Sequence, residues 1–110
     1  MSGSEFDELD FEIAGDTIKF MWDYGVVVPL WTEWEGLVPE EPEWLRRALG
    51  LSDPLIADLT AWGEAMQYLD SRPHERTDEA YRDLDLRARA LLERVQQEVG
   101  DRFRVWYHPW

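Results

Sequence analysis

The sequence predicts an α+β fold: a small sheet of two to four strands, with two main helices and one short helix packed on one face. Three observations support this prediction: alternating apolar residues near the N-terminus, two long apolar stripes at helical spacing in the middle, and alternation again near the C-terminus. The length of 110 residues is that of one domain. We therefore expect a single domain over residues 10–110, preceded by a disordered acidic leader or a tag remnant at residues 1–9.

An N-terminal β-hairpin is the first predicted feature. Apolar and polar residues alternate over residues 10–13 and again over 17–22, with a Gly/Asp turn between them at 14–16. The β-branched residues 26–28 predict a short or edge extension of the sheet, because Pro29 directly follows them. Residues 29–41 show no clear periodicity and predict a long loop rich in Trp, Glu and Pro.

Three helices are predicted after this loop. A short one covers residues 42–49 and is closed by a glycine. The second is capped by Ser52 and stops before Pro73. The third runs for about 22 residues from its cap, Thr77, to Gly100. Each long helix carries one apolar stripe, so both are expected to pack against the same core.

The last predicted element is a strand over residues 102–107, with Phe103, Val105 and Tyr107 on one face. A strand that follows two helices must bury its apolar face, and the early sheet is the available partner. Because helices connect the two segments, we expect this strand beside residues 18–22 and parallel to them.

Composition excludes several classes of function. The chain has no cysteine, which excludes disulfides, thiolate metal sites and cysteine nucleophiles. Its net charge of −13 argues against binding nucleic acid phosphates or anionic membranes. The longest apolar run, residues 25–31, is far below the ~20 residues of a membrane span, and no signal-peptide pattern is present. We expect a cytoplasmic protein without cofactor or metal.

The negative charge is concentrated in the first part of the chain. Residues 1–45 hold 12 of the 24 acidic side chains and one of the 11 basic ones, for a net charge of −11. Residues 46–110 carry only −2. An electrostatic function is therefore expected to reside in the N-terminal part.

The seven tryptophans divide by position. Trp22, Trp44 and Trp62 lie on apolar faces of predicted elements, where core packing explains them. Trp31 and Trp34 instead lie among the acidic residues of the predicted loop, where packing under the loop and surface recognition are both open. Trp106 is predicted on the sheet face opposite Phe103, Val105 and Tyr107.

No catalytic motif stands out. The two histidines, His74 and His108, fall in different loops, and Ser52 and Ser71 sit at helix boundaries where capping explains them. There is no Gly-rich phosphate loop and no dinucleotide-binding pattern. Enzymatic activity is thus uncertain, and the sequence leans against it.

Parts of the chain resemble a known group of proteins. The segments that carry the resemblance are residues 18–25, 29–31, 49–52 and 59–62 and the closing strand. They are similar to a group of small acidic actinobacterial proteins without an assigned activity. The resemblance spans about residues 17–107 and implies no catalytic or binding residue. It does imply that the segment before Thr17 is an addition or a variable leader.

The leading hypothesis is a small acidic binding protein that neutralises or regulates a basic protein, as an immunity protein or antitoxin does. Acidic residues would steer association, and loop tryptophans would supply buried anchors. The predicted partner-binding residues are Asp23, Trp31, Glu33, Trp34, Glu35, Glu40 and Glu41. Two alternatives stay open: a small enzyme or ligand-binding domain with a Trp/carboxylate pocket, and a nucleic-acid mimic.

Overall fold

The computed structural model describes residues 11–34 and 36–108 and contains one sheet and a helical layer. The strands are β1 (Thr17–Phe20), β2 (Leu30–Thr32) and β3 (Arg104–Tyr107). The first short helix, α1 (Pro42–Trp44), continues into a π-helical turn (Leu45–Leu49).

The two long helices are α2 (Asp53–Asp70) and α3 (Asp78–Val99). Short 3₁₀ turns, Pro73–Glu75 and Gly100–Arg102, follow them. The architecture confirms the predicted α+β fold class.

The sheet has the order β2-β1-β3. Strand β1 pairs antiparallel with β2, so that Ile18 lies opposite Thr32. It pairs parallel with β3, so that Ile18 lies opposite Val105. This confirms the predicted parallel pairing of β1 with the last strand. The strands are parallel because the helices between them carry the chain back to the end of the sheet at which β1 starts.

The predicted N-terminal hairpin, in which residues 10–13 pair with residues 17–22, is wrong. Residues 11–13 form no strand, and β1 pairs instead with β2, inside the segment predicted as a loop. Residues 26–28 are also outside the sheet. The alternation around Phe11 and Ile13 reflects packing of these two side chains against the core, and the Phe11 carbonyl accepts a hydrogen bond from Trp44 Nε1 at 2.9 Å.

The core lies between the sheet and the two long helices. Ile18, Phe20 and Leu30 face it from the sheet with no exposed surface. Trp62 is also fully buried. Its ring meets that of Phe20 edge-on, with the ring centroids 5.2 Å apart, and its Nε1 donates to the Leu84 carbonyl at 2.9 Å. Trp44 is equally buried, which confirms the core interpretation of both helical tryptophans.

Both long helices have the predicted caps. Ser52 Oγ accepts a hydrogen bond from Leu55 N, and Thr77 Oγ1 accepts one from Ala80 N. Glu98 on α3 binds the cap of α2, accepting from Ser52 N at 2.6 Å and Ser52 Oγ at 2.9 Å. The two helices are thereby fixed to each other at the start of α2.

Candidate functional site

An acidic hairpin projects beyond β2. The Thr32 amide donates to the Gly36 carbonyl at 2.7 Å, and the Val38 amide donates to the Leu30 carbonyl at 3.0 Å. Gly36 has a φ of 99°, a conformation that glycine adopts without strain. These contacts close a tight turn, and we call its described residues Glu33 and Trp34 the hairpin tip.

The hairpin tip exposes two of the predicted partner-binding residues. Glu33 is exposed, and Trp34 is 76% exposed, the highest value among the large apolar side chains of the described residues. Glu35, which is also a predicted partner-binding residue, lies outside the described residues. Tryptophan is enriched among the residues that anchor protein interfaces, so this exposed ring is a candidate contact.

Trp31 lies on the sheet face turned away from the helices. Its Nε1 donates to the Met21 carbonyl at 2.7 Å, which fixes the orientation of the ring. The strand register places Lys19 between Trp31 and Trp106, and the Lys19 Nζ is 5.9 Å from each ring centroid. Trp106 is 42% exposed, in agreement with its predicted position opposite Val105.

The loop between β1 and β2, residues 23–28, carries Asp23. Its carboxylate accepts a hydrogen bond from the Tyr24 amide at 2.7 Å, and its carbonyl accepts one from the Val26 amide at 3.0 Å. Asp23 is exposed. It therefore shapes the start of this turn while its side chain stays at the surface.

Glu40 holds this same loop in place. One carboxylate oxygen, Oε2, accepts hydrogen bonds from the amides of Val27 and Val28 at 2.8 and 2.7 Å. Sequence reasoning assigned Glu40 to partner contact and missed this anchoring role. The neighbouring Glu41 is half-buried, and its Oε1 is buried without a hydrogen-bond partner among the described residues.

The predicted site residues thus lie at two ends of one strand pair. Because β1 and β2 are antiparallel, the hairpin tip with Glu33 follows the end of β2 that pairs with Ile18. Asp23 lies in the loop at the opposite end, beyond Phe20 and Leu30. The fold brings Glu40 to the Asp23 loop and leaves Glu33 and Trp34 at the other end.

Two exposed apolar residues of the loop were missed by sequence reasoning. Tyr24 is 74% exposed and Val27 is 41% exposed. The signal that points to them is Gly63, an isolated glycine inside the apolar stripe of α2. A glycine has no Cβ and leaves room for a close approach of backbone, and a Cβ added there would lie 2.2 Å from the Val27 carbonyl oxygen.

A polar cluster joins α3 to β3. The Tyr107 hydroxyl donates to Asp85 Oδ1 at 2.6 Å, and Arg89 Nε donates to Asp85 Oδ2 at 2.8 Å. Arg89 and then Tyr107, as hydrogen-bond donors, lower the pKa of Asp85. Burial, followed by the hydrogen bond to the carboxylate, raises the pKa of Tyr107. The cluster is a structural link between the sheet edge and α3.

The described part of the chain lacks two features. Within residues 11–34 and 36–108, no helix combines the length and apolar character needed to cross a membrane. The same residues contain no group of three or more Asp, Glu or His side chains arranged to hold a metal ion.

Comparison with known proteins identifies the family. A family model described as Serratia CdiI immunity protein-like matches residues 16–110, and the chain therefore belongs to this family. Its function is that of an immunity protein, which neutralises a toxin partner. The hypothesis of an immunity-type binding protein is thus confirmed. Comparison with curated proteins gives no match. The resemblance to actinobacterial acidic proteins is a separate prediction and stays one.

Proposed function

We propose that this immunity protein neutralises a basic toxin, and that its acidic N-terminal part makes the contact. The observation that carries the proposal is the hairpin tip, where Trp34 is 76% exposed beside the exposed Glu33. Backbone hydrogen bonds between Thr32 and Gly36 and between Val38 and Leu30 hold the base of this turn, which reduces the backbone entropy that is lost on binding.

The charge distribution supports a basic partner. Residues 1–45 carry a net charge of −11, so this part of the chain creates a negative potential around itself. Such a potential raises the association rate with a cationic surface and fades as salt screens it. A toxin whose active cleft is cationic would be captured quickly and blocked by the protein that covers the cleft.

The proposed contact residues are those that the sequence singled out: Asp23, Trp31, Glu33, Trp34, Glu35, Glu40 and Glu41. Their contributions differ. Glu33 and Trp34 are free to contact a partner directly. Glu40 contributes by fixing residues 27 and 28, and Trp31 by a ring that its bond to Met21 holds in place. The proposed location is the cytoplasm. The chain has no cysteine, so its fold does not depend on the disulfides that form in oxidising compartments.

The experiment begins with recovery of the toxin on the tagged full-length chain, from the native cell, at low and at high salt. The recovered toxin is then purified, and protection is measured as growth of cells that express the toxin with and without this chain. We expect a basic protein that is retained at low salt and released at high salt, and we expect toxin-expressing cells to grow only when this chain is expressed with the toxin.

The contact is tested by stopped-flow association of the purified pair. The double variant Glu33→Lys with Glu35→Lys should slow association by about tenfold at low salt, because it reverses the local field. The matched control, Asp83→Lys with Glu93→Lys, makes the same change of net charge at exposed positions of α3. Equal association rates for the two double variants would contradict the proposal.

A further inference from the structure

The loop of residues 23–28 is held rigidly although it exposes apolar side chains. The Glu40 carboxylate accepts hydrogen bonds from Val27 and Val28, and Gln67 Oε1 on α2 accepts one from the Gly25 amide at 3.0 Å. Three long-range hydrogen bonds therefore fix a segment in which Tyr24 is 74% exposed. A loop that is ordered in this way and still presents an aromatic ring to solvent is pre-organised for contact.

A cleft lies between this loop and α2. It has a volume of about 160 Å³ and is lined by Gly25, Val26, Val27, Gly63, Glu64 and Gln67. One water molecule needs about 10–15 Å³ of such volume, so the cleft has room for one extended side chain. Its loop wall approaches α2 closely because Gly63 has no Cβ to displace the Val27 carbonyl.

The charges at this cleft are negative. Glu64 lines it and is exposed, and Asp23 stands exposed at the start of the loop. Neither carboxylate forms an ion pair with another described residue. The cleft thus combines an apolar wall at Val26 and Val27 with a carboxylate at its rim. This combination suits a lysine or arginine side chain, which has an apolar stem and a cationic head.

We propose that this cleft receives one lysine or arginine side chain of the toxin. The stem packs against Val27 and the backbone at Gly63, the cation pairs with Glu64, and the Tyr24 ring covers the toxin surface next to it. The inference rests on the proposed function, since it takes the toxin to be basic. It adds a second contact, at the end of the β1–β2 pair opposite the hairpin tip.

The two contacts should differ kinetically. Acidic residues at the hairpin tip act at a distance and set the association rate. A side chain enclosed in the cleft acts only after docking and sets the dissociation rate. Substitutions in the cleft are therefore expected to shorten the lifetime of the complex, and the loss of the single charge of Glu64 should slow its formation far less than charge reversal at residues 33 and 35.

The test measures binding of the toxin, purified as above, to Tyr24→Ala and Glu64→Gln variants of the full chain. Each should dissociate about tenfold faster, as expected for an anchor residue and for a paired carboxylate. The matched controls are Leu86→Ala, which truncates an exposed apolar residue of α3, and Glu93→Gln on the same helix. Both controls should leave the dissociation rate unchanged. Circular dichroism and thermal unfolding of every variant verify that the fold is kept.

The outcomes separate the two proposals. Tight binding by both cleft variants, together with slow association of the hairpin-tip variant, would overturn the cleft proposal and leave the proposed function standing. Faster dissociation of Tyr24→Ala alone would show that the toxin contacts the loop but that Glu64 pairs with no cation in the cleft, which also overturns it. A toxin that binds with no dependence on salt or on residues 33 and 35 would instead remove the proposed function.

Site-specific crosslinking gives an independent readout. A photoreactive phenylalanine analogue placed at position 24 should form a covalent adduct with the toxin, next to a lysine or arginine identified by mass spectrometry. The same analogue at position 86 on α3 is the control and should form none. An adduct at position 86 and none at position 24 would place the toxin on the helical face and contradict the proposal.

Discussion

The helical layer and the loops at the two ends of β1 and β2 are stabilised in different ways. Helices α2 and α3 start at local caps, Ser52 and Thr77, each of which binds an amide three residues later. The loop of residues 23–28 instead depends on Glu40 and Gln67, up to 42 residues away along the chain. The helices form a stable platform, and the surface proposed for the toxin is shaped by long-range polar contacts on that platform.

The largest expected loss of stability follows from a substitution in the core, on helix α2. Trp62→Ala removes a fully buried ring and the donor to the Leu84 carbonyl. We expect the free energy of unfolding to fall by about 3–5 kcal/mol, measured by urea denaturation. Trp34→Ala, at the exposed tip, is the control and should change it by less than about 0.5 kcal/mol. Similar losses for the two variants would erase the contrast between core and surface tryptophans.

Gly63→Ala tests the contact between platform and loop. Helix propensity alone would stabilise α2 by about 1 kcal/mol. The new Cβ would, however, lie 2.2 Å from the Val27 carbonyl oxygen, which is backbone and cannot rotate away. We therefore expect a net destabilisation of about 2 kcal/mol, with NMR shift changes centred on residues 24–28. A stabilised variant would show that the loop moves aside freely.

Glu40→Ala tests the loop from its other side. The amides of Val27 and Val28 lose a shared carboxylate acceptor. The expected loss is roughly 1–2 kcal/mol in the free energy of unfolding, with faster hydrogen exchange at those two amides. Glu33→Ala, an exposed acid at the hairpin tip, serves as the control and should be nearly neutral. If both variants unfold alike, the anchoring role assigned to Glu40 is wrong.

The smallest effect concerns the cluster that joins α3 to the sheet edge. Hydrogen bonds from Arg89 and Tyr107 lower the pKa of Asp85 in the folded state. The stabilisation from this carboxylate is therefore complete above its ordinary pKa of about 3.9 and is lost as the pH falls through the lowered folded-state pKa. Asp85→Asn should flatten the acid limb of stability against pH.

The measurement is the urea midpoint at several acidic pH values, with Asp83→Asn as the exposed control on the same helix. An acid limb that is as steep in Asp85→Asn as in the parent chain would count against the cluster. Tyr107→Phe gives the alkaline counterpart. The pKa of Tyr107 is raised in the folded state, so its contribution is complete below the ordinary pKa of about 10 and is lost at higher pH.

Sequence reasoning succeeded where signals lie within a few residues of one another. The caps and apolar stripes of α2 and α3, the proline after α2 and the glycine after α3 are all local signals, and both helices follow them closely. The core positions of Trp44 and Trp62 followed from the same periodicity. The parallel partner of β1 was predicted from connectivity, because crossover chains allow few alternatives.

Sequence reasoning failed to predict the strand that pairs antiparallel with β1. Strand β2 has only three residues, Leu30–Thr32, and carries almost no periodicity of its own. The alternation at Phe11 and Ile13 was clearer and predicted the wrong hairpin partner for β1. A strand of this length is selected by the neighbours against which it packs, and those neighbours are distant in the chain.

The amino-acid sequence by itself determined the helical layer, the buried face of β1, the excess of negative charge and the location of that charge in the first 45 residues. Only the tertiary structure decided that Glu40 holds the 23–28 loop, that Gly63 admits this loop against α2, and that Asp23 and Glu33 lie at opposite ends of a strand pair. The physical reason is the separation along the chain between the residues that interact. Caps and apolar stripes act between neighbours in the chain, whereas these contacts exist only after the core has brought distant segments together.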